Sequence, residues 1–419
     1  MKTLSNLVVA ILLCDATLVC AAASKNPSTD FSAQLGERPY YLVDQLSDGP
    51  LKSRLQGCKS ADSSFRPSDF SIGHRGAALL FPEHTEESYR AAARMGAGIV
   101  ECDVTFTSDR ELVCRHDQCD LHATTDIVRT PLAEKCTVPP VVADGVLMNA
   151  SEIQCCTSDI TLAEFKTLEA RMNGADKTAT SVAEYLKTTP RVEQGLHGGR
   201  DSGTLLSHAE AVELFKELGV GMTPELKPPR VDMPFQGDYT QEDFARQLVD
   251  ELVAAGVDPG RVWLQSFRYE DVLYWIEEHP AFGEQVVFLD GRYDTDVNDP
   301  AEVAALKPSM SELAEAGVKH LAPPIYMMLG VDDGRIVPSV YARAAKNAGL
   351  DLIGWTTERS GPLKAGGGGF YYSTVSDLIK NDGDILTVID ALARKVGIRG
   401  LFSDWPATTT FYANCMLVP

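Results

Sequence analysis

The 419-residue sequence lacks a surplus of basic residues. It contains 38 Lys and Arg against 59 Asp and Glu, which gives a formal net charge of −21 and a pI near 4.8. Nucleic acids and anionic membranes attract basic surfaces, so this composition argues against both as partners. An anionic small-molecule substrate would have to be held by a local cluster of positive side chains.

Long apolar runs are also missing. After residues 7–13, no stretch stays apolar for the about 20 residues that a membrane-spanning helix needs. A charged start, the short apolar core at 7–13 and the small residues at 21–23 are typical of a secretory signal peptide, which we assign to residues 1–23. A membrane anchor is the alternative, but the segment is too short to span a bilayer. We therefore expect a secreted protein without stable membrane insertion.

The sequence has no CxxC pair, which weakens the case for a zinc site. Of the ten cysteines, Cys14 and Cys20 leave with the signal peptide, so eight remain. An even number of cysteines in an oxidising compartment indicates disulfides, but eight cysteines allow about 105 pairings and the sequence leaves the choice open. Asn149 begins an Asn-Ala-Ser sequon that a secreted protein could glycosylate.

Short apolar segments alternate with amphipathic helical stretches. The strand-like segments are residues 71–73, 99–104, 112–115, 222–226, 262–266, 286–289, 320–325, 352–355 and 401–403. The main helical stretches are residues 86–95, 208–218, 241–255, 269–278, 339–348 and 385–396. This alternation predicts an α/β fold, a TIM-type (β/α)8 barrel, with residues 112–117 returning as a hairpin because no helix precedes them. A doubly wound open sheet is the alternative, but no GxGxxG follows the first strand.

One interval breaks this rhythm. Residues 118–204 contain four cysteines and the sequon, and a structureless loop of that length inside a barrel is improbable. We predict an inserted, disulfide-stapled cap over the carboxyl-terminal ends of the strands. The domain plan is then an N-terminal segment at 24–70, a barrel formed by 71–117 and 205–419, and a cap at 118–204.

Polar residues at the strand ends suggest the chemistry. Glu101 and Asp103 are two apart, so on a strand both point to one face, where they repel each other unless a cation lies between them. His74 and His116 can exchange protons near neutral pH, and Arg75 is suited to clamp a phosphate. Together these residues predict metal-assisted cleavage of a phosphate ester.

Six motifs, in this order, resemble those of the glycerophosphodiester phosphodiesterases. They are His74-Arg75-Gly76, Pro82-Glu83-His84-Thr85, Glu101-Cys102-Asp103-Val104, His116-Asp117, Glu225-Leu226-Lys227 and Ser403-Asp404-Trp405-Pro406. The chain departs from the family at His84, where Asn is usual, and at Ser403, where Thr is usual; His84 could alter contacts near the site. The resemblance implies a TIM-type barrel that hydrolyses glycerophosphodiesters to glycerol phosphate and an alcohol, with a divalent metal, usually Ca²⁺ or Mg²⁺.

The expected site has three groups of residues. They are the metal ligands Glu101, Asp103 and Glu225, the acid–base pair His74 and His116, and the substrate-binding residues Arg75, Lys227, Glu83 and Trp405. Glu83 could instead only precede a helix, and Trp405 could belong to the core.

Other functions remain open at this point. A lipid phosphodiesterase of the phospholipase D or phospholipase C kind could use the same barrel, and so could a catalytically inactive binding protein. The glycine run at 366–369 lacks the Lys-Ser/Thr of a phosphate-binding loop, so we expect a flexible rim loop, and the neighbouring Phe370 and Tyr371 could contact substrate. The sequence does not indicate head-group preference or oligomeric state.

Overall fold

The computed structural model of the protein describes residues 32–59, 64–187, 203–366 and 368–417. The signal peptide predicted at 1–23 lies outside these ranges. The strands are β1 Ser68–Gly73, β2 Ala97–Phe106, β3 Leu112–Cys114, β4 Val142–Ala143, β5 Val146–Leu147, β6 Gly221–Leu226, β7 Gln265–Ser266, β8 Val287–Leu289, β9 His320–Ala322, β10 Leu329–Asp332, β11 Arg335–Pro338, β12 Asp351–Gly354 and β13 Gly400–Ser403.

The α-helices surround these strands and connect them. They are α1 Arg38–Gln45, α2 Pro50–Lys59, α3 Glu86–Arg94, α4 Leu121–Thr124, α5 Leu162–Phe165, α6 Val182–Tyr185, α7 His208–Leu218, α8 Gln241–Ala254, α9 Tyr269–Glu278, α10 Pro280–Gly283, α11 Pro300–Ala305, α12 Met310–Glu315, α13 Val340–Asn347, α14 Asp384–Asp390 and α15 Ala407–Met416. Within the described ranges, none of the helices has both the length and the apolar character required to cross a membrane.

Eight parallel strands close into a barrel. Their order is β1-β13-β12-β9-β8-β7-β6-β2, and direct pairing of β1 with β2 closes the ring. The ninth strand of this sheet, β3, pairs antiparallel to β2. The predicted TIM-type barrel and its hairpin are therefore confirmed, and ring closure excludes the open doubly wound sheet.

Local sequence determines where several helices begin and end. Ser207 caps α7 by accepting a hydrogen bond from the Glu210 amide, while the Glu210 carboxylate accepts from the Ser207 amide. Such a capping box satisfies amides that the first helical turn leaves unpaired. Gly219 ends the same helix in the left-handed conformation, with φ of 69°, which costs glycine little.

The apolar core has two layers. Inside the barrel, side chains from alternate strand positions pack on each other; they are Ile72, Ile99, Val287, Leu289, Ala322, Ile353 and Phe402. A larger cluster fills the space between the outer face of the strands and the helices. This packing leaves the carboxyl ends of the strands as the place where polar side chains can gather.

The inserted segment has an apolar cluster of its own, which includes Leu121, Ile160 and Phe165. It packs against loops that follow barrel strands. Asn173 Nδ2 donates to Glu83 Oε1 at 3.4 Å, in the loop after β1, and Gln118 Oε1 accepts from the Arg230 amide at 2.6 Å, beyond β6. The insertion therefore contacts the carboxyl-terminal side of the barrel.

All eight cysteines outside the predicted signal peptide are paired. The disulfides are Cys58–Cys415, Cys102–Cys114, Cys119–Cys156 and Cys136–Cys155. Two of them lie within the insertion or at its start, as predicted, and a third ties β2 to β3. This pairing leaves no thiolate for the zinc alternative.

The native protein is expected to contain no reactive thiol, because every one of these eight sulfurs is engaged in a disulfide. Alkylation without reductant, followed by mass spectrometry, should leave all eight unmodified. Reduction before alkylation is the control and should label all eight. Labelling of Cys119, Cys136, Cys155 and Cys156 in the unreduced protein would show that the stapled insertion is wrong.

Candidate active site

A cavity of about 360 Å³ opens at the carboxyl ends of the barrel strands. Its lining side chains are His74, Arg75, Glu101, His116, Glu225, Lys227, Phe267, Leu289, Tyr293, Trp355, Arg359, Phe370, Tyr371 and Phe402. The structure thus brings six of the nine predicted site residues to one cavity, which has a charged half and an aromatic half. The other three, Asp103, Glu83 and Trp405, lie behind or beside this lining.

Three carboxylates meet in the charged half. Glu101 and Asp103 lie on one face of β2, and the strand register places Asp103 opposite Glu225 of β6. One oxygen from each carboxylate lies within 4.8 Å of the others, and all three side chains are buried. Asp103 Oδ1 has no hydrogen-bond partner there. A set of buried oxygen donors of this kind fits a hard divalent cation.

The protonation behaviour of these carboxylates supports the same fit. Burial, together with Asp103 and Glu225, raises the pKa of Glu101 well above its ordinary range. Burial also raises the pKa of Glu225 to about 8, although Lys227 Nζ lies 2.6 Å from its Oε1. Burial opposes ionisation of Asp103 too, but Lys227 and His84 hold its pKa well below the usual value. A bound cation would displace the protons that Glu101 and Glu225 retain.

His74 follows β1 directly and is fixed by the end of β13. Its Nδ1 lies 3.0 Å from Asp404 Oδ1, and its Nε2 lies 3.8 Å from Glu101 Oε2. The Asp404 carboxylate accepts a hydrogen bond from the Nδ1–H group, which leaves Nε2 to face the carboxylate cluster. Burial lowers the pKa of His74 and outweighs the opposing effect of Asp404. The ring is therefore neutral and able to accept a proton at Nε2.

His116 follows the β2–β3 hairpin and reaches the same cavity. Its side chain is half-buried. Burial, together with Arg75 and Lys227, lowers its pKa well below the ordinary histidine value. Two neutral imidazoles therefore share one cavity with three cationic side chains.

Arg75 is held rigidly from both sides. Its amide donates to Glu101 Oε2 at 3.0 Å, and its Nη1 donates to both oxygens of Glu83 at 3.2 and 3.1 Å. The backbone turns sharply here: Arg75 has φ of 59° and Gly76 has φ of 89°. A Cβ at Gly76 would lie 2.4 Å from Ser88 Oγ, so the turn requires glycine. Glu83 thus anchors the guanidinium rather than lining the cavity.

His84, the departure from the family motif, is completely buried beneath the carboxylates. Its Nε2 lies 2.8 Å from Asp103 Oδ2, and its Nδ1 lies 3.0 Å from the Tyr89 hydroxyl. Histidine in place of the family's usual asparagine changes contacts at the site, because it gives Asp103 a neutral imidazole partner. The ring is neutral because burial lowers the pKa of His84 to about 4.

Trp405 lies outside the cavity lining. The Arg38 guanidinium lies 5.4 Å from the centre of its ring. The indole also packs against the outer core. This placement agrees with the alternative that Trp405 belongs to the core.

The sequence alone assigned no role to two charged residues of this site. Asp404 is buried at the end of β13 and binds His74; Arg359 Nε donates to Asp404 Oδ1 at 2.9 Å and Nη2 to Glu83 Oε2 at 3.4 Å. Asp404 belongs to the Ser403-Asp404-Trp405-Pro406 motif at the end of β13, and this position indicates a functional role. Arg359 lies in a loop without a motif, so no pattern pointed to it.

Comparisons with known proteins agree on one family. The sequence model of the glycerophosphoryl diester phosphodiesterase family matches residues 74–408. An extracellular protein of Arthroderma benhamiae is 46% identical over 247 residues, which cover 58% of this chain and 99% of that protein. A glycerophosphodiester phosphodiesterase of Haemophilus influenzae is 24% identical over 380 residues, covering 84% of this chain and 93% of that enzyme.

A solved structure supports the same fold. A Silicibacter pomeroyi protein assigned to this family superposes with a TM-score of 0.52 and 16% identity, over 85% of this chain and 95% of that one. The family model spans most of the chain, including the strand ends that build the cavity. The chain therefore belongs to the glycerophosphoryl diester phosphodiesterase family.

Proposed function

We propose that this protein hydrolyses glycerophosphodiesters to glycerol phosphate and an alcohol, with a divalent cation and with His74 and His116 as the acid–base pair. The observation that carries the proposal is the meeting of three buried carboxylates, two histidines and three cationic side chains in one cavity. Membership of the family gives this combination its substrate class.

Glu101, Asp103 and Glu225 would hold the cation, Ca²⁺ or Mg²⁺. When bound, such a cation stabilises negative charge on a phosphoryl oxygen. All three residues offer only carboxylate oxygens, the donors that these hard cations prefer over nitrogen or sulfur.

Arg75, Lys227 and Arg359 supply the local positive charge that binds the phosphate. All three line the cavity, although the chain as a whole carries a net charge of −21. Arg75 is fixed by Glu83, and Lys227 by Glu225, so their charges are in place before the substrate arrives. Preorganised charge of this kind stabilises the transition state more than mobile charge does.

The two imidazoles move the protons. One neutral ring accepts the proton of the attacking hydroxyl. The other ring, once it has taken up a proton beside the anionic phosphate of the substrate, donates that proton to the leaving alkoxide oxygen and becomes neutral. If a substrate hydroxyl attacks first, a cyclic phosphate forms, and the two rings exchange roles when water opens it. Asp404 keeps the His74 ring oriented with Nε2 toward the cavity throughout.

Asp404→Asn should lower kcat on a glycerophosphodiester by roughly 10-fold to 100-fold, part of the full contribution of an acid–base group. The amide can donate to His74 Nδ1 and so favour the wrong tautomer, while the ring itself stays in place. KM should change little, and the pH dependence of kcat should shift. Asp390→Asn, at the far end of α14, is a matched control with wild-type kcat. An unchanged pH profile in Asp404→Asn would contradict the positioning role.

A substrate panel tests the proposed reaction. The purified protein, supplied with Ca²⁺ or Mg²⁺, should release glycerol phosphate from glycerophosphocholine and glycerophosphoglycerol, measured with a coupled dehydrogenase assay. Cleavage of sphingomyelin or lysophosphatidylcholine in preference to both would favour a phospholipase D-like enzyme. Cleavage of a phosphoinositide in preference to both would favour a phospholipase C-like one. Binding without turnover of any of these compounds would favour the inactive barrel.

The same proposal places the protein outside the cell. All eight cysteines outside the predicted signal peptide form disulfides, which persist in oxidising compartments. The Arthroderma benhamiae relative is named an extracellular protein. Detection of the processed chain in culture medium, with an intracellular marker absent from that medium, is the corresponding test.

A further inference from the structure

The aromatic half of the cavity has no part in the phosphate chemistry. Six aromatic side chains line the cavity; Phe402 lies beside His74, and the other five form this half: Phe267, Tyr293, Trp355, Phe370 and Tyr371. They come from the segments that follow β7, β8 and β12, so separate parts of the chain converge on one small volume. Two of them, Tyr293 and Phe370, are 41% and 48% exposed, which means that the group has an open side toward the cavity mouth.

These rings form a box with Trp355 as its floor. Phe267, Tyr293 and Tyr371 stand at 87°, 77° and 76° to the indole plane, with ring centres 6.1, 6.3 and 6.0 Å from it. Phe370 joins two of these walls, lying 5.8 Å from Tyr293 and 5.2 Å from Tyr371 in edge geometry. Edge-to-face packing of this kind sets neighbouring rings in different planes, so rings of different orientation line one cavity.

The box is held in place from behind. Trp355 Nε1 donates to the Ala322 carbonyl at 2.9 Å, which fixes the indole plane. Phe370 packs at 5.0 Å against Tyr326, whose carbonyl accepts from Thr374 Oγ1 at 2.8 Å. A preorganised site loses less conformational entropy when a ligand binds.

The chemistry of this box selects one kind of head group. A quaternary ammonium ion has no N–H to donate, and the negative faces of several aromatic rings are its usual protein partner. An ethanolamine head group would need acceptors for three N–H bonds, whereas the box offers two side-chain acceptors, the hydroxyls of Tyr293 and Tyr371. A glycerol or inositol head group would bury hydroxyls against carbon-rich surfaces.

The position of the box matches the length of a choline ester. Lys227 Nζ lies 2.6 Å from Glu225 Oε1 and stands over the Phe267 ring, 6.0 Å from its centre, so one face of that ring already meets a cation. The box therefore begins one side chain away from the charged half. In a choline diester only two methylene groups separate the phosphate oxygen from the nitrogen, so phosphate beside Lys227 brings the trimethylammonium group to the rings.

We propose that the box formed by Phe267, Tyr293, Trp355, Phe370 and Tyr371 is a head-group subsite for a quaternary ammonium ion, which makes the choline diester the preferred glycerophosphodiester. This assignment rests on the proposed function and adds a substrate preference to it.

The direct test compares glycerophosphocholine with its 3,3-dimethylbutyl isostere, in which carbon replaces the charged nitrogen. Shape is the same, so a higher kcat/KM for the choline compound, by about tenfold or more, reports the cation–π contribution. The double substitution Tyr293→Ala and Phe370→Ala removes two exposed walls and should bring that ratio close to one. Tyr41→Ala, which removes a similarly exposed ring outside the cavity, should keep the wild-type ratio. A ratio near one in the wild-type protein overturns the proposal.

Binding without turnover separates this proposal from the proposed function. Calorimetry should detect choline and not its neutral isostere 3,3-dimethylbutan-1-ol, and the double variant should lose choline binding. If choline binds in this way and no glycerophosphodiester is cleaved, the subsite stands and the proposed function fails. If glycerophosphoglycerol is cleaved and choline binds no better than the alcohol, the function stands and the subsite fails.

The choline group could come from a soluble diester or from a lysolipid. The subsite as proposed serves the soluble diester, so glycerophosphocholine should be cleaved with the higher kcat/KM when lysophosphatidylcholine is compared below its micellar concentration. A preference for lysophosphatidylcholine would overturn the soluble-diester assignment.

Discussion

Exhaustive removal of divalent cations should abolish hydrolysis of glycerophosphodiesters, and addition of Ca²⁺ or Mg²⁺ should restore it. The physical reason lies in Glu101, Asp103 and Glu225, which bury three carboxylates within 4.8 Å of one another. Without a cation, burial and mutual repulsion raise the pKa values of Glu101 and Glu225, and the site lacks the charge that offsets the transition state. Activity after dialysis against EDTA, with metal content measured by elemental analysis, checks this.

A substitution at the cluster makes the same point without a chelator. Asp103→Ala should lose bound metal and activity together, because it removes one of the three buried carboxylates that would hold the cation. Asp250→Ala is a matched control, since that carboxylate lies on α8 with its side chain 62% exposed. Full activity in a preparation shown to be free of divalent metal would contradict the metal-assisted mechanism.

His74→Ala and His116→Ala should each lower kcat by roughly 10²-fold or more, the usual scale for loss of acid–base help. Both rings line the cavity, and burial lowers the pKa of each, so a proton that either ring takes up is readily passed on. Because neither is proposed as a metal ligand, metal content should stay near the wild-type level. Steady-state kinetics and metal analysis on the same preparations separate this class of variant from Asp103→Ala.

His279→Ala provides the comparison for a histidine outside the cavity, at the end of α9, and should retain wild-type kcat. Near wild-type turnover in His116→Ala would show that the pair is misassigned. His84 would then be a poor replacement, because it is completely buried between Asp103 and Tyr89.

The sequence determined those features that depend on local periodicity and on strand ends. The alternation of apolar segments predicted the barrel, and the missing helix before residue 112 predicted the hairpin of β2 and β3. The two-residue spacing of Glu101 and Asp103 placed both on one face, because side chains alternate along a strand. In a parallel barrel all strand carboxyl ends lie at one rim, so residues that end strands gather there.

The tertiary structure decided the rest, since it depends on contacts between segments distant in the chain. Three contacts join residues that no sequence spacing relates. They are the register that sets Asp103 opposite Glu225, the disulfide pairings, and the contact between Asp404 and His74. The aromatic box arises in the same way, from loops that meet only when the barrel closes. Sequence periodicity specifies which face of a strand or helix a side chain occupies, whereas ring closure and loop packing decide which side chain it meets.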